Sequence, residues 1–265
     1  MTNYPQPAAK IVASIEIGAR TPHGLAGRLV LVLAFAWSAF QLYIASSIPF
    51  FLSEHLSLNL VFNNQEARQI HLAFALILAM LAYPLFKSSS RNKIPFIDWA
   101  LAALAMVSCL YLFFNKNAIS DRAGLPTTAD MAMSTIGILC LAIAVFRALG
   151  LPLVIVATVF LTYVFLGHMS FMPDAIQWKG ASFGKASWHF WMQTEGVFGV
   201  ALGVSASMIF LFVLFGALLE KAGAGNYFIK LAFASLGHLR GGPAKAAVVA
   251  SAASGLYSGS SIANV

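Results

Sequence analysis

Charged residues are scarce in this 265-residue sequence: they make up 9% of the chain, whereas hydrophobic residues make up 60%. A soluble domain usually carries about 25% charged and about 45–50% apolar residues. So little charge cannot cover a globular surface in water, which excludes an ordinary soluble enzyme, a disordered chain and a nucleic-acid-binding domain. The length is therefore better divided into membrane spans, each of which needs about 20 apolar residues.

Cysteine and catalytic motifs are also nearly absent. The two cysteines, Cys109 and Cys140, lie inside apolar runs without CxxC spacing, which argues against a metal site or a structural disulfide. Ser90 and Lys93 have SxxK spacing, but they lie in a basic loop, and neither an HExxH pattern nor an acidic pair accompanies them. We therefore do not expect an enzyme.

Long hydrophobic runs are what the sequence does contain. They predict an all-α integral membrane fold with about six transmembrane helices. The runs extend approximately over Leu29–Leu52, Ile70–Phe86, Ile97–Phe114, Met131–Phe146, Leu151–Met169 and Val197–Leu219.

Local chemistry marks two of the helix boundaries. Gly150 and Pro152 predict the end of one helix and the start of the next, because glycine suits a helix C-terminus and proline suits the first turn. Helices four and five should therefore form a tight hairpin. Residues 125–130, LPTTAD, predict a turn with capping residues before helix four.

The net charge of +7 comes from basic residues between the apolar runs. When loops are assigned alternately to the two sides, 11 lysines and arginines fall on the side of the N-terminus and 5 on the other. Because cytoplasmic loops are enriched in lysine and arginine, the N-terminus should be cytoplasmic. The charge therefore indicates topology in a lipid bilayer, and no nucleic-acid partner is expected.

We interpret the first five spans as a structural scaffold. No acidic residue falls in the middle of a span, and His71 and His168 lie near span ends, which favours interfacial positions over a proton relay. The Gly199–Gly203 pair of a GxxxG pattern favours close helix packing. An interfacial aromatic belt is the interpretation of four residues in the loop after helix five: Trp178, Trp188, Phe190 and Trp191.

The last forty residues have a different pattern. Residues 227–239 are too short to span a membrane and predict a helix along its inner surface. After the break at 240–245, the apolar run Ala246–Ala253 has only eight residues, so it cannot cross about 30 Å of hydrocarbon. It can enter from the inside, stop and turn back, which predicts the start of a re-entrant helical hairpin.

The tip of that hairpin would carry candidate ligands for an ion or a substrate. Ser258, Ser260, Ser261 and Asn264 offer oxygen ligands without a buried formal charge, and Gly259 lets the backbone approach closely. Broken helices in transporters bind sodium in this way, so we expect a sodium site near Ser258, Ser260 and Asn264. A small-residue packing helix or a surface loop remains the alternative interpretation of this segment.

This tail resembles the large membrane subunit of tripartite ATP-independent periplasmic (TRAP) transporters. The strongest match is Gly241–Lys245, GGPAK, continuing to Ser258–Val265, SGSSIANV. Phe212–Gly223 and Arg122–Thr127 are also similar to that family. The GGPAK form resembles the fused type, in which small and large permease subunits share one chain and work with a binding protein of the TAXI class.

The resemblance implies three regions and a mechanism. Residues 1–28 would be a cytoplasmic segment, 29–130 small-subunit-like scaffold helices, and 131–265 the start of a DctM-like permease domain. The protein would be a multi-pass component of a bacterial or archaeal cytoplasmic membrane. A periplasmic TAXI-type binding protein would deliver an organic anion, and a sodium gradient would drive its uptake without any other cofactor and without ATP hydrolysis.

Fused members of the family are much longer than this chain. The return arm of the hairpin, the later spans and a second hairpin are not in the sequence. We therefore expect an N-terminal fragment of a longer reading frame. A membrane scaffold or accessory subunit without transport of its own is the alternative function.

Overall fold

The computed structural model describes residues 19–56, 60–86, 89–170 and 172–255, and these ranges contain helices and no strand. We number the helices α1 to α11. They are α1 Gly24–Ala45, α2 Ile48–Leu56, α3 Asn64–Ala82, α4 Phe96–Phe114, α5 Lys116–Asp121, α6 Thr128–Leu149, α7 Leu151–Leu166, α8 Phe183–Ser187, α9 Val200–Lys221, α10 Ala224–Leu236 and α11 Gly242–Gly255.

Four helices in the described ranges are long and apolar enough to cross a membrane: α1, α4, α6 and α9. The predicted count of six spans would also need α3 and α7. Helix α7 is apolar but has only 16 residues. Helix α3 has 19 residues, but its first two turns contain Glu66, Arg68 and Gln69.

The first predicted span is wrong in its extent, because the run Leu29–Leu52 does not form one helix. Helix α1 ends at Ala45, and α2 begins at Ile48. The Ser46 hydroxyl donates to the Tyr43 carbonyl oxygen and accepts from the Ile48 amide, at 2.9 and 3.2 Å. A serine that offers the backbone such local partners competes with the helical hydrogen bonds, which explains the break.

The centre of the bundle is α3, which packs against α1, α4, α6 and α9. Its buried residues form the core together with residues of α4 and α6. Helix α3 therefore faces protein on most sides, and polar side chains can find partners there that lipid could not offer.

Both predicted turns are present in the structure. Gly150, with φ +88°, separates α6 from α7, and Pro152 lies in the first turn of α7. Thr127 caps α6: its side chain accepts from the Asp130 amide, while the Asp130 carboxylate accepts from the Thr127 amide. This reciprocal pair satisfies two amides that the first turn of a helix otherwise leaves without partners.

Helix α9 contains a π-helical segment, Ser205–Ile209, where it contacts α1 and α3. It is followed by α10 and α11, which pack chiefly against each other. The separate short helix expected near 227–239 is therefore found as α10. Its position along the inner membrane surface stays a prediction.

Candidate functional site

The predicted site residues Ser258, Gly259, Ser260, Ser261 and Asn264 lie outside the described residues. The structure therefore neither brings them together nor separates them, and their role stays a prediction. What the structure does describe is the helix that leads to them, α11, and the way in which it is held.

Glycines fix the entry into α11. Gly241 has φ +70°, which side chains other than glycine rarely adopt. A Cβ on Gly242 would overlap the carbonyl oxygens of Leu236 and Gly237 at the end of α10. The backbones of α10 and α11 therefore come very close at this turn. A side chain would be strained at Gly241 and would clash at Gly242, which accounts for the two glycines of the GGPAK segment.

Alanines form the contact between α10 and α11. Ala246 and Ala250 of α11 are buried against Ala232 of α10, with Leu236 packed beside them. Small side chains allow two helices to approach closely. On the other side of α11, Val248 and Val249 are exposed.

The described part of α11 has 14 residues and extends about 21 Å at 1.5 Å per residue. Gly255 is also the last residue that the structure describes. That this segment enters a membrane without crossing it therefore stays a prediction.

The bundle is fastened at one end, here called the Asp98 end, by a buried cluster of three charges. The Asp98 carboxylate lies 2.6 Å from Arg20 Nη1 and 2.8 Å from Arg147 Nη2, and all three side chains are at most 2% exposed. Arg147 also donates to the carbonyl oxygens of Met80 and Tyr83, at 3.1 and 3.3 Å. The cluster ties the segment before α1 to the C-terminal ends of α3 and α6 and the start of α4.

The opposite end, here called the Asp130 end, has a second network. The buried Asp130 carboxylate accepts from Arg122 Nε and Nη2, at 2.9 and 2.7 Å, and from the Tyr111 hydroxyl, at 2.8 Å. Its hydrogen bonds with the guanidinium raise the pKa of Arg122. Glu66 and Lys116 form a further ion pair at this end, at 2.5 Å.

The acidic residues at the span ends were visible in the sequence, but their pairing was not. Arg20 and Asp98 are 78 positions apart, and Lys116 and Glu66 are 50 apart. Spacings of this size give no local signal, because only residues three or four apart are neighbours on a helix.

His71, which the sequence places near a span end, is surrounded by protein. It is buried in α3, and its Nδ1 accepts from the Trp37 indole at 3.2 Å and also contacts the Gln41 amide. An accepting Nδ1 places the proton on Nε2, which lies 3.4 Å from Ser205 Oγ in the π-helical segment of α9. His168 is exposed.

The expected aromatic belt is also wrong in part. Trp188 and Trp191 are buried in the bundle core, because a π-helical turn, Trp188–Met192, follows α8 and packs on α6. The Trp191 ring lies against Gly137, where any Cβ would overlap it. Trp178 is exposed, and its indole donates to the Tyr163 carbonyl oxygen at 3.1 Å.

The GxxxG pattern also has a different partner from the one expected. A Cβ on Gly203 would come within 2.6 Å of Arg68 Nη2, so the close approach at this position is made by a side chain of α3. In the described residues no group of three or more His, Cys, Asp or Glu side chains could hold a metal ion.

Comparison with known families gives one match. Residues 136–265 match the family model described as "Tripartite ATP-independent periplasmic transporter, DctM component". This match, just under half of the chain, supports the TRAP permease family, a family of transporters that work with a periplasmic binding protein and a small membrane component. With the long apolar helices, it supports a multi-pass protein that forms the membrane component of such a transporter.

No curated protein matches the chain, and no solved structure does.

Proposed function

We propose that this chain belongs to the permease of a secondary, sodium-coupled TRAP importer, which takes up an organic anion delivered by a periplasmic binding protein of the TAXI type. The match of residues 136–265 to the DctM component carries the proposal. The glycines at the start of α11, the helix that leads toward the tip, agree with it.

The proposed site is the tip, with oxygen ligands from Ser258, Ser260, Ser261 and Asn264 and a close backbone approach at Gly259. Sodium, a hard cation, is coordinated in transporters by unwound carbonyls and hydroxyls of broken helices. The ion would lie near Ser258, Ser260 and Asn264. Occupation of this site would favour the conformation that accepts the anion, which couples the sodium gradient to uptake.

In the proposed domain organisation, residues 29–130 form a small-subunit-like scaffold and the DctM-like domain begins at residue 131. Helices α3 and α4 of the first part pack on α6 of the second, and α3 also packs on α9. The ion pair of Asp98 with Arg147 joins the two parts directly. Contacts of this kind suit two subunits fused in one chain.

The proposed location is a bacterial or archaeal cytoplasmic membrane with the N-terminus in the cytoplasm, which the 11 to 5 split of basic residues supports. Arg28 and the exposed Lys179 lie on opposite sides in this topology. Single cysteines at these two positions, in a background without Cys109 and Cys140, should react with an impermeant maleimide from the cytoplasmic and periplasmic side respectively. Labelling of both from the same side would contradict the topology.

Uptake into proteoliposomes tests the function. The complete natural protein, reconstituted with its binding protein, should accumulate substrate only with an inward sodium gradient. Ser260→Ala and Asn264→Ala should lower uptake at limiting sodium, and higher sodium should restore it in part. The matched control is Ser90→Ala, in the basic loop between α3 and α4.

The accessory-scaffold alternative predicts a different result, in which both tip variants transport as well as Ser90→Ala. Uptake that persists without sodium would reject sodium coupling while leaving a permease. No uptake under any condition, from a protein that is folded and binds its partner, would favour the scaffold.

A further inference from the structure

A cavity of about 370 Å³ lies between α1, α3 and α9. Its polar lining comes from Gln41, Asn64, Arg68 and Ser207, and apolar walls come from Ile44, Phe62 and Leu211. The size falls within the range of small-ligand pockets. Because it lies beside the C-terminal end of α1 and the N-terminal ends of α3 and α9, the cavity sits at a boundary of the membrane-spanning part.

Arg68 gives the cavity a positive charge. Its Nη1 donates to the Phe198 carbonyl oxygen at 3.0 Å. Among the described residues, the ion pairs of the other buried or half-buried arginines are with Asp98 and Asp130, and no carboxylate lies within ion-pair distance of Arg68. A guanidinium that keeps free N–H groups beside a cavity is suited to an anionic oxygen, above all a phosphate.

Ser207 gives the cavity a second polar group. It is exposed and lies one turn after Gly203, which approaches the Arg68 guanidinium. Its hydroxyl donates to the Gly203 carbonyl oxygen at 2.8 Å, and its oxygen can still accept. A ligand that brought an N–H or O–H donor next to its anionic group would bind Ser207 and Arg68 together.

The surroundings of the cavity are apolar and open. Leu42 of α1 and Val200 and Val204 of α9 are exposed beside it. At a membrane boundary these side chains face acyl chains. The cavity therefore combines a cationic and hydrogen-bonding interior with an apolar flank, which is the chemistry of an amphiphile and not that of a free inorganic anion.

We propose that this cavity binds the headgroup of a phospholipid. The phosphate accepts from Arg68, an amine or hydroxyl of the headgroup donates to the Ser207 hydroxyl oxygen, and one acyl chain runs along α1 and α9. The bound lipid would join the scaffold-like helices to the start of α9. This site is independent of the tip at Ser258–Asn264 and of the proposed transport.

Native mass spectrometry of the delipidated chain tests the site, with phosphatidylethanolamine and phosphatidylcholine as probes. Wild type should retain one phosphatidylethanolamine with preference over phosphatidylcholine, since choline has no N–H to donate. Arg68→Gln should weaken this binding by about tenfold, as expected for one lost charge-assisted interaction. Arg28→Gln removes the same charge from an exposed position at the other end of α1 and should change nothing.

A second variant separates binding from a structural role of Arg68. Ser207→Phe fills the cavity from α9 and leaves the Arg68 contact with Phe198 in place, so it should also displace the lipid. Equal retention of lipid by wild type, Arg68→Gln and Ser207→Phe would overturn the proposal. So would displacement of the lipid by inorganic phosphate at equal concentration, because the site would then be a simple anion site.

Discussion

The helical bundle and the α10–α11 pair are held together in different ways. The bundle buries large side chains such as Trp191, Phe198 and Met80, and ion pairs fasten both of its ends. The α10–α11 pair buries three alanines with one leucine beside them. The difference suggests a fixed frame that carries a lightly held element, and the element is the one that leads to the predicted transport site.

The buried ion pairs are the physical reason to expect a fixed frame. A buried charge is tolerated only with its partner in place, so each ion pair ties together the helices that supply it. An alanine contact imposes no such condition, and its loss costs far less. Elements that move during function belong to the less stable parts of a protein.

Removal of Asp98 should have the largest effect, because it would break the frame. Asp98→Ala leaves Arg20 and Arg147 buried without an anion, and loss of one partner of a buried pair costs about 3–5 kcal/mol. Chemical unfolding in detergent, followed by circular dichroism, should show this loss. Glu195→Gln, which changes an exposed carboxylate 3.9 Å from His189, is the control and should unfold as wild type. Equal stability of the two variants would contradict a structural role for the cluster.

Filling the space at Gly137 should have the next largest effect. Gly137→Ala places a Cβ into the Trp191 ring, and overpacking of this kind typically costs about 1–3 kcal/mol. The same unfolding measurement applies, and Trp191 fluorescence should also shift. Ala132→Val adds volume to an exposed position of the same helix and should be neutral. If Gly137→Ala left the free energy of unfolding unchanged, the loop after α7 would not pack into the core.

Loss of the α6 cap should have a smaller effect. Thr127→Ala removes the side-chain contacts with the Asp130 amide and carboxylate, and loss of an N-cap typically costs about 1 kcal/mol. Thr158→Ala removes a hydroxyl that bonds within α7 at an exposed position, and it should change stability less. If Thr158→Ala were the more damaging variant, the cap would not contribute as the geometry indicates.

A larger side chain in the α10–α11 contact should have the smallest effect on the free energy of unfolding. It also tests whether the α10–α11 pair is separate from the frame. Ala250→Leu pushes the two helices apart, but global stability should change by less than about 0.5 kcal/mol because the frame is not involved. Uptake should nevertheless fall, since α11 positions the tip. Val248→Leu, on the exposed side of α11, should leave both properties unchanged. A large loss of global stability in Ala250→Leu would place the pair within the frame.

The sequence predicts the parts of this fold that depend on neighbouring residues. Gly150 with Pro152, and Thr127 with Asp130, mark turns by local chemistry, and the structure has both. The break at Ser46 was missed because the hydrophobic run continues through it, and hydropathy does not register a hydroxyl that bonds to the backbone. The contacts of α3 and Trp191 were missed because tertiary packing determines them.

The candidate site also has parts that the sequence predicts and parts that it does not. The apolar run 246–253 is too short to cross a membrane, and the structure places it within a helix whose described part is Gly242–Gly255. The ligand roles of Ser258, Ser260, Ser261 and Asn264 depend on long-range geometry and stay predictions. Arg68 and Ser207 were not identified from the sequence, since residues 139 positions apart give no local signal.

Distances between pairs of spin labels test the comparison most directly. One pair joins Phe35 of α1 to Leu139 of α6, within the frame, and a second joins Leu139 to Ile229 of α10; all three positions are exposed. In a background without cysteine, double electron–electron resonance should give a narrow distance distribution for the first pair and a clearly broader one for the second. Equally narrow distributions would contradict a fixed frame with a lightly held α10–α11 pair.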